Sequence, residues 1–292
     1  MSQTFSYAGK KLNYFLDAIR NIRSGKYPIF LDYEVETVPR YGHGKPPHAH
    51  LYEIINKNRE VYKNHLNSFL HYTEQLVQIP ITYESDNQPF YINGYLPGLD
   101  SIAIYCFLAM YNPKRYIEVG SGNSTKFAYR AIDDNKLRTK IISVDPFPRT
   151  KIDKICDQII RIPLEKMDLD IFDTLEDGDI LFIDNSHRCF TNSDVTVVFL
   201  DIIPKLQKGV IVEFHDIFLP YDYSSVFANN WYSEQYLLAC YLLSEGSKFD
   251  IILPNMFISE DQELSEIMKP LWERSEMRDV ASHGGSFWIK IR

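Results

Sequence analysis

From about residue 100 onward, short apolar segments alternate with segments of helical periodicity. The predicted strands are residues 116–119, 141–145, 159–163, 179–184, 209–216, 249–255 and 286–291. The predicted helices are residues 102–111, 126–133, 194–206 and 233–244. Continuously apolar strands are buried on both faces, and helices between them act as right-handed crossovers in a parallel sheet. The pattern therefore predicts an α/β fold, a Rossmann-like open and mostly parallel sheet whose last strand is antiparallel at the edge.

The first 90 residues have a different pattern. Helical spacing of apolar residues is found at 11–23 and at 50–77, and the loop between them, VPRYGHGKPPHAH, is rich in Pro, Gly and His. We predict two parts, a helical N-terminal extension at 1–90 and a ligand-binding domain at 91–292. The extension is expected to serve as a lid or as an oligomerisation surface, which leaves a homo-oligomer open.

Charge and composition exclude several classes of function. The formal net charge is -8 without a long basic run, which disfavours nucleic acid as a partner. No apolar stretch is long enough for a signal peptide or a membrane span, so we expect a cytoplasmic protein without membrane association. The widely spaced cysteines lack a C-x-x-C pair and are expected to be buried thiols.

The sequence YIEVGSGNST at 116–125 predicts a strand, a glycine turn and the start of a helix. Glycines in such a turn let backbone N–H groups approach a ligand closely, next to the positive end of the helix. Ligands of open α/β sheets bind at the carboxyl ends of the strands. The turn is therefore predicted to be a ligand-binding platform.

Two classes of ligand compete for this turn. A dinucleotide site prefers G-x-G-x-x-G, but the third glycine position is Thr125. Glu118, two residues before Gly120, repels a pyrophosphate and attracts an ammonium. Asp145 ends the next strand, where it can accept hydrogen bonds from ribose hydroxyls. These features favour S-adenosylmethionine, and an NAD-dependent oxidoreductase remains the alternative enzyme.

At these residues the sequence resembles the class I S-adenosylmethionine-dependent methyltransferases. The resemblance is carried by the E-x-G-x-G turn, the acid at the end of the second strand and the C-terminal strand pair. The segments FIDNSHRCFTNSDV and GVIVEFHDIFLPYDY are similar to a bacterial subgroup of the methyltransferase 24 type. The resemblance implies a class I methyltransferase fold over 91–292 with S-adenosylmethionine as cofactor.

The residues expected to contact the cofactor lie mainly at the first two strand ends. They are Glu118, Gly120, Ser121, Gly122, Asn123, Ser124, Asp145, Glu165 and Asp184. A binding module that keeps the cofactor but has lost turnover remains the non-enzymatic alternative.

The ends of the fourth and fifth predicted strands carry the residues expected to face the acceptor. Asp184 and His187 follow the fourth strand, and His215 and Asp216 end the fifth. Adjacent strands lie about 4.8 Å apart, so these side chains share one crevice. Methyl transfer to a hydroxyl requires removal of a proton, for which a histidine is suited. We expect His215, then His187, with Asp184 beside them, to act on an oxygen of a small-molecule or glycan-type acceptor.

A divalent metal is a competing interpretation of the same strand ends. In the related catechol-type O-methyltransferases an ion is held by acids at these places, which implies Asp184 and Asp216 here. The match is incomplete, because those enzymes have Asn or Asp where this chain has Ile217. Metal dependence is therefore disfavoured. The histidines of the N-terminal loop, His43, His48 and His50, have no matching cysteines, and we expect a lid or docking loop there.

Overall fold

The structure, a computed structural model, describes residues 15–16, 18–27, 29–33, 35–244 and 248–292. It divides into two compact units, Met1–Thr37 and Val38–Arg292. In the first unit residues 15–16 and 18–23 are helical, in agreement with the predicted helix at 11–23, whose residues 11–14 and 17 lie outside the described part. The predicted division at residue 90 falls inside the second unit.

The second unit is built on a seven-stranded sheet. Its strands are β1 (Arg115–Val119), β2 (Lys140–Val144), β3 (Gln158–Ile160), β4 (Ile180–Ile183), β5 (Ile211–Phe214), β6 (Phe249–Pro254) and β7 (Phe287–Ile291). Their order is β3-β2-β1-β4-β5-β7-β6. The pairs from β3 to β5 are parallel, and β7 is antiparallel to both β5 and β6. The predicted fold class is confirmed, although β7 lies one strand in from the edge and β6 forms the edge.

Helices cover the sheet and its C-terminal end. They are α1 (Ala49–Asn56), α2 (Arg59–Phe69), α3 (Thr73–Leu76), α4 (Gly98–Tyr111), α5 (Asn123–Asn135), α6 (Asp170–Asp173), α7 (Asp194–Val197), α8 (Ser225–Ala228), α9 (Glu234–Leu243), α10 (Asn255–Glu260), α11 (Gln262–Ile267) and α12 (Lys269–Trp272). The single helix predicted at 50–77 is broken into α1, α2 and α3. At the first break the Asn58 side chain donates a hydrogen bond to the carbonyl of Ile251, 3.0 Å away in β6.

The apolar core continues from the sheet into the N-terminal helices of the second unit. Helix α4 is buried on nearly all sides. Its Phe107 ring lies 4.7 Å from the Trp288 ring of β7 and 5.3 Å from the Phe69 ring of α2. The helices of residues 49–76 therefore share a core with the sheet.

Three other expectations from the sequence differ in detail. The predicted helix 194–206 begins as α7 but continues as a π-helical segment, Val198–Ile202, and a 3-10 turn, Ile203–Lys205. Strand β3 is shorter than predicted because it is an exposed edge strand. Only one of the four free cysteines, Cys106, is buried, and Cys240 is exposed.

Among the described residues, no helix combines the length and apolar character that crossing a membrane requires.

Candidate active site

A cavity of about 810 Å³ opens at the carboxyl ends of β1, β2 and β4. A volume of this size is typical of pockets for small-molecule ligands and cofactors. Its walls include the glycine turn at 120–124, the loop after β2 and the residues that follow β4. The cavity therefore lies where an open α/β sheet binds its ligands.

Gly120 is the residue of the turn that must be glycine. Its φ angle is +82°, and a Cβ atom built on it would lie 1.8 Å from the carbonyl oxygen of Asp184. Gly120 also donates its N–H to the carbonyl of Val144, 3.0 Å away. This close approach brings the ends of β1, β2 and β4 together. A side chain at residue 120 would force the strand ends apart.

Glu118 supports the turn from beneath. It is fully buried and accepts hydrogen bonds from the hydroxyls of Tyr116 and Thr125. Thr125 in turn accepts the N–H of Gly122 at 3.0 Å, which explains the threonine at the third glycine position. Burial raises the pKa of Glu118 to about 8, although hydrogen bonds from Ser124 and Thr125 oppose that rise. Glu118 lies beneath the turn and is not among the residues that line the cavity.

Asp145 fixes the turn from the neighbouring strand. Its Oδ2 accepts the N–H of Ser121 at 2.8 Å, and its Oδ1 accepts the N–H of Phe147 at 2.7 Å. The carboxylate lines the cavity at the end of β2, as predicted. A carboxylate oxygen can accept more than one hydrogen bond, so Asp145 retains capacity for a ligand hydroxyl.

Asp184, directly after β4, also lines the cavity. Burial would raise the pKa of Asp184, but its hydrogen bond to His187 and the charges of His215 and His187 outweigh burial and lower it. Asp184 therefore presents a negative charge to the cavity at neutral pH.

His187 lies behind Asp184 rather than on the cavity wall. Its Nε2 is 3.1 Å from Asp184 Oδ1 and 3.6 Å from Asp216 Oδ2, and its Nδ1 is 2.9 Å from Glu234 Oε2. Burial opposes the charged form, but the hydrogen bonds to Asp184 and Glu234 outweigh burial and raise the pKa of His187 to about 10. His187 thus favours the imidazolium form at neutral pH and holds Asp184 in position.

His215 follows β5 and does line the cavity. Its Nδ1 is 3.5 Å from Glu213 Oε1, and its Nε2 is 3.9 Å from Asp216 Oδ1. Burial lowers the pKa of His215, but the proximity of Glu213 and the charges of Asp216 and Asp184 raise it well above the ordinary value. The acids around His215 therefore favour its protonated form, and a role as a base requires that this proton be released first.

The strand ends form an acid-rich cluster around the two histidines. Its members are Asp100, Asp184, His187, Glu213, His215, Asp216 and Glu234. Two of them have left-handed backbones, His187 with φ 58° and Asp216 with φ 53°, and such conformations concentrate at functional sites. Burial raises the pKa of Glu213 to about 8, whereas Asp184 keeps its charge, so a positively charged ligand is favoured beside Asp184.

The cavity brings together most of the residues predicted to hold the cofactor. Those on its wall are Gly120, Ser121, Gly122, Asn123, Ser124, Asp145, Glu165 and Asp184. A cavity with ribose-binding capacity at Asp145 and a negative charge at Asp184 fits a cationic nucleoside such as S-adenosylmethionine.

The acids Asp184 and Asp216, proposed as metal ligands, both face the Nε2 of His187. A positive charge of the protein already lies between them, so a divalent ion there would have to displace the imidazolium. Within the described ranges, no group of three or more His, Cys, Asp or Glu side chains is arranged to hold a metal.

The histidine loop docks within the chain and does not line the cavity. The N–H of His48 donates to the carbonyl of Pro220, and His43 Nε2 lies 3.0 Å from the carbonyl oxygen of Asp222. His48 Nδ1 also accepts the N–H of Leu51 and so caps α1. The loop thus docks on residues 220–222 of its own chain.

Two groups stand out among the site residues that were not predicted from the sequence. One is the loop before α4, which contributes Tyr83, Asp86, Phe90, Asn93, Tyr95 and Leu96 to the cavity wall. The other is the set of buried acids behind the histidines, Asp100, Glu213 and Glu234. An acid inside an apolar strand, such as Glu213 in the segment IVEF, was a signal available in the sequence.

Comparison with known proteins also indicates a methyltransferase. Residues 117–217 match the methyltransferase 24 family model, described as "Methyltransferase domain". An uncharacterized protein from Archaeoglobus fulgidus is 30% identical over 135 residues, which cover 42% of this chain and 59% of that protein. The match thus spans less than two thirds of that relative.

Two solved structures are similar at low sequence identity. The SAH-bound Podospora anserina methyltransferase PaMTH1 is 16% identical with a TM-score of 0.41, covering 91% of this chain and 100% of its own. Cofactor-bound Rv0187 from MTB is 12% identical with a TM-score of 0.36, covering 64% and 81%. TM-scores of this size do not establish a shared fold, and the assignment does not rest on them.

The assignment rests on three observations: the glycine turn, the cavity at the strand ends and the family match across 117–217. Together they are the features of a class I S-adenosylmethionine-dependent methyltransferase, with the match to the methyltransferase 24 model covering residues 117–217.

Proposed function

We propose that this protein transfers a methyl group from S-adenosylmethionine to an oxygen of a small-molecule or glycan-type acceptor. The observation that carries the proposal is that one cavity is lined both by residues expected to hold the cofactor and by residues expected to face the acceptor. The glycine turn and Asp145 lie on its cofactor side, and Asp184 and His215 lie beside them. The cofactor would supply a methyl group on a positively charged sulfur. The acceptor oxygen would bond to the methyl carbon and displace that sulfur in line.

The chain's own residues would hold and polarise that reaction. Asp145 would accept hydrogen bonds from the ribose hydroxyls of the cofactor. The backbone of the glycine turn would contact the amino-acid part of the cofactor. The ionised Asp184 favours positive charge at the carboxyl end of β4. His187, held by Glu234, keeps Asp184 in place and ionised.

His215 is the residue we propose as the general base for the acceptor hydroxyl. The acids that surround His215 raise its pKa and favour the protonated form in the absence of ligands. A positive charge placed beside His215 lowers its pKa and favours the neutral imidazole. Binding of a cationic cofactor therefore prepares His215 to accept a proton.

The test is formation of S-adenosylhomocysteine from S-adenosylmethionine with matched pairs of acceptors. Each pair consists of a phenol, catechol or sugar with a free hydroxyl and the same compound as its methyl ether. We expect product only with the free hydroxyl, and a loss of about 100-fold or more in His215→Ala. Equal product from both members of every pair, or undiminished transfer by His215→Ala, would contradict the proposal.

A further inference from the structure

Glu213 lies behind His215 and is not part of the cavity wall. It is the third residue of β5, and its side chain is fully buried. It precedes His215 by two positions, so both side chains lie on the same face of the sheet. Over the described part of the chain, neither oxygen of its carboxyl group has a hydrogen-bond partner. A buried carboxyl group without partners is costly, so its place in an apolar strand requires an explanation.

The two ring nitrogens of His215 lie in different surroundings. Nδ1 is buried and, like the Glu213 oxygens, has no hydrogen-bond partner in the part of the protein that the structure describes. It lies 3.5 Å from Glu213 Oε1, a distance that a small shift of either side chain would shorten to a hydrogen bond. On the other side of the ring, Nε2 lies 3.9 Å from Asp216 Oδ1. Because His215 lines the cavity and its Nδ1 is buried, Nε2 is the nitrogen presented to the cavity.

Asp100, near the start of α4, is a second acid on the Nδ1 side of His215, at 4.0 Å. Its oxygens are already engaged. Oδ1 accepts a hydrogen bond from the Asn255 side chain at 2.7 Å, and Oδ2 accepts the N–H of Gly285 at 2.7 Å. Of the two acids beside Nδ1, Glu213 is therefore the one with unused acceptors.

This arrangement suits a base that acts through Nε2. In a neutral imidazole one nitrogen donates and the other accepts, and the hydrogen bond made by the first determines which is which. A carboxyl oxygen at Nδ1 holds the proton there and leaves the Nε2 lone pair for an acceptor hydroxyl. Both the ionised and the neutral carboxyl group keep an oxygen that can accept, so the arrangement does not depend on the charge of Glu213.

We propose that Glu213 is a positioning residue that holds the Nδ1–H of His215, so that Nε2 faces the acceptor in the cavity. The inference rests on the proposed function, and Glu213 acts through His215 without touching the cofactor or the acceptor. It requires that the hydrogen bond exists in the folded protein. It also requires that loss of this bond slows methyl transfer without weakening cofactor binding.

The first test detects the hydrogen bond by NMR and uses no acceptor. In protein that contains isotope-labelled histidine, an Nδ1–H held by an acceptor exchanges slowly with water and gives a signal, which His215→Gln identifies. We expect this signal in the unmodified protein and in Glu213→Gln, whose amide oxygen can accept. In Glu213→Leu it should be lost or move to higher field. Absence of the signal from the unmodified protein, or an unchanged signal in Glu213→Leu, would overturn the proposal.

The second test measures methyl transfer to the phenol, catechol or sugar of the matched pairs that yields product. We expect Glu213→Leu to lower kcat by about 10- to 100-fold and to leave the KM for S-adenosylmethionine unchanged within about threefold, because the base is misaligned. Glu213→Gln should recover most of the lost kcat. Asp179→Asn is the matched control, because Asp179 is a buried acid that pairs with Arg115 just before β4, at the opposite end of that strand from the cavity. Its kcat should be normal.

The outcomes separate this inference from the proposed function. A normal kcat in Glu213→Leu, with kcat lost in His215→Ala, would overturn the role of Glu213 and leave the methyltransferase reaction intact. A loss of kcat that Glu213→Gln does not relieve, or an equal loss of cofactor affinity, would mean that Glu213 only supports the fold. Failure of the unmodified protein to form S-adenosylhomocysteine with any acceptor would overturn both proposals, even where the NMR signal shows the contact.

Discussion

The Nδ1 of His187 lies 2.9 Å from the Oε2 of Glu234, and both side chains are buried. Glu234 also accepts a hydrogen bond from Asn185, the residue after Asp184. The pair therefore connects α9 to the loop that carries Asp184 into the cavity. The charges of His187 and Glu234 determine how strongly α9 holds that loop.

The first prediction concerns Glu234→Gln. The substitution removes one charge of a buried pair, so we expect the free energy of unfolding at pH 7 to fall by about 2–4 kcal/mol. Urea denaturation measures this loss. Glu60→Gln, which breaks only an exposed pair with Lys63, serves as the matched control and should change stability by less than about 0.5 kcal/mol.

The same variant should change the pH dependence of stability. The pKa of His187 is raised from 6.5 to about 10 on folding. Its contribution to stability is therefore fully present below about pH 6.5 and is lost as the pH rises towards about 10. Between pH 7 and 10 the difference in stability between the unmodified protein and Glu234→Gln should shrink. A difference that stays constant over this range would contradict the coupling.

A second prediction concerns proton release on binding. Because the sulfonium of S-adenosylmethionine lowers the pKa of His215, binding should release protons at neutral pH. S-adenosylhomocysteine has a neutral sulfur and should release fewer. Calorimetry in buffers of different ionisation enthalpy measures the number of protons. Equal release by the two ligands, or release that persists in His215→Gln, would argue against His215 as the group that responds to the cofactor.

A third prediction compares two glycines of the turn. Gly120→Ala places a Cβ 1.8 Å from a backbone oxygen at a φ of +82°, so the unfolding free energy should fall by at least about 2 kcal/mol. Gly122→Ala meets only Thr150 Cγ2 at 3.6 Å and should cost much less. Thermal unfolding of both variants tests the difference. A Gly122→Ala variant as unstable as Gly120→Ala would mean that the close approach to Asp184 is not what restricts the turn.

A fourth prediction concerns metal ions. Asp184 and Asp216 both face the imidazolium of His187, so neither is free to hold a divalent ion without displacing it. We expect cofactor affinity and methyl transfer to be unchanged within about twofold after treatment with a chelator and dialysis. Restoration of lost activity by magnesium would show instead that an ion takes the place of the imidazolium.

The sequence was sufficient for the architecture because the signals are local. Continuous apolar strands, glycines after β1 and acids at strand ends each follow from a few neighbouring residues, and they predicted β1 to β7 and the cofactor side of the cavity. The predicted boundary at residue 90 does not coincide with the edge of a compact unit, because contacts such as Phe69 with Phe107 join residues distant in sequence.

Electrostatics were the least predictable part of the site. The sequence places His187 and His215 at strand ends, but their protonation depends on Glu234 and Glu213, which approach only in the folded chain. Similarly, the spacing of Glu118 predicts a cofactor contact, but its complete burial beneath the turn is visible only in the fold.

The most direct test of the central claim is calorimetric titration of the dialysed protein with S-adenosylmethionine and S-adenosylhomocysteine, with NAD as the control. The account predicts saturable one-to-one binding of the first two ligands and none of NAD. Binding of NAD alone, or of none of the three, would contradict the assignment of the glycine turn and its cavity to S-adenosylmethionine.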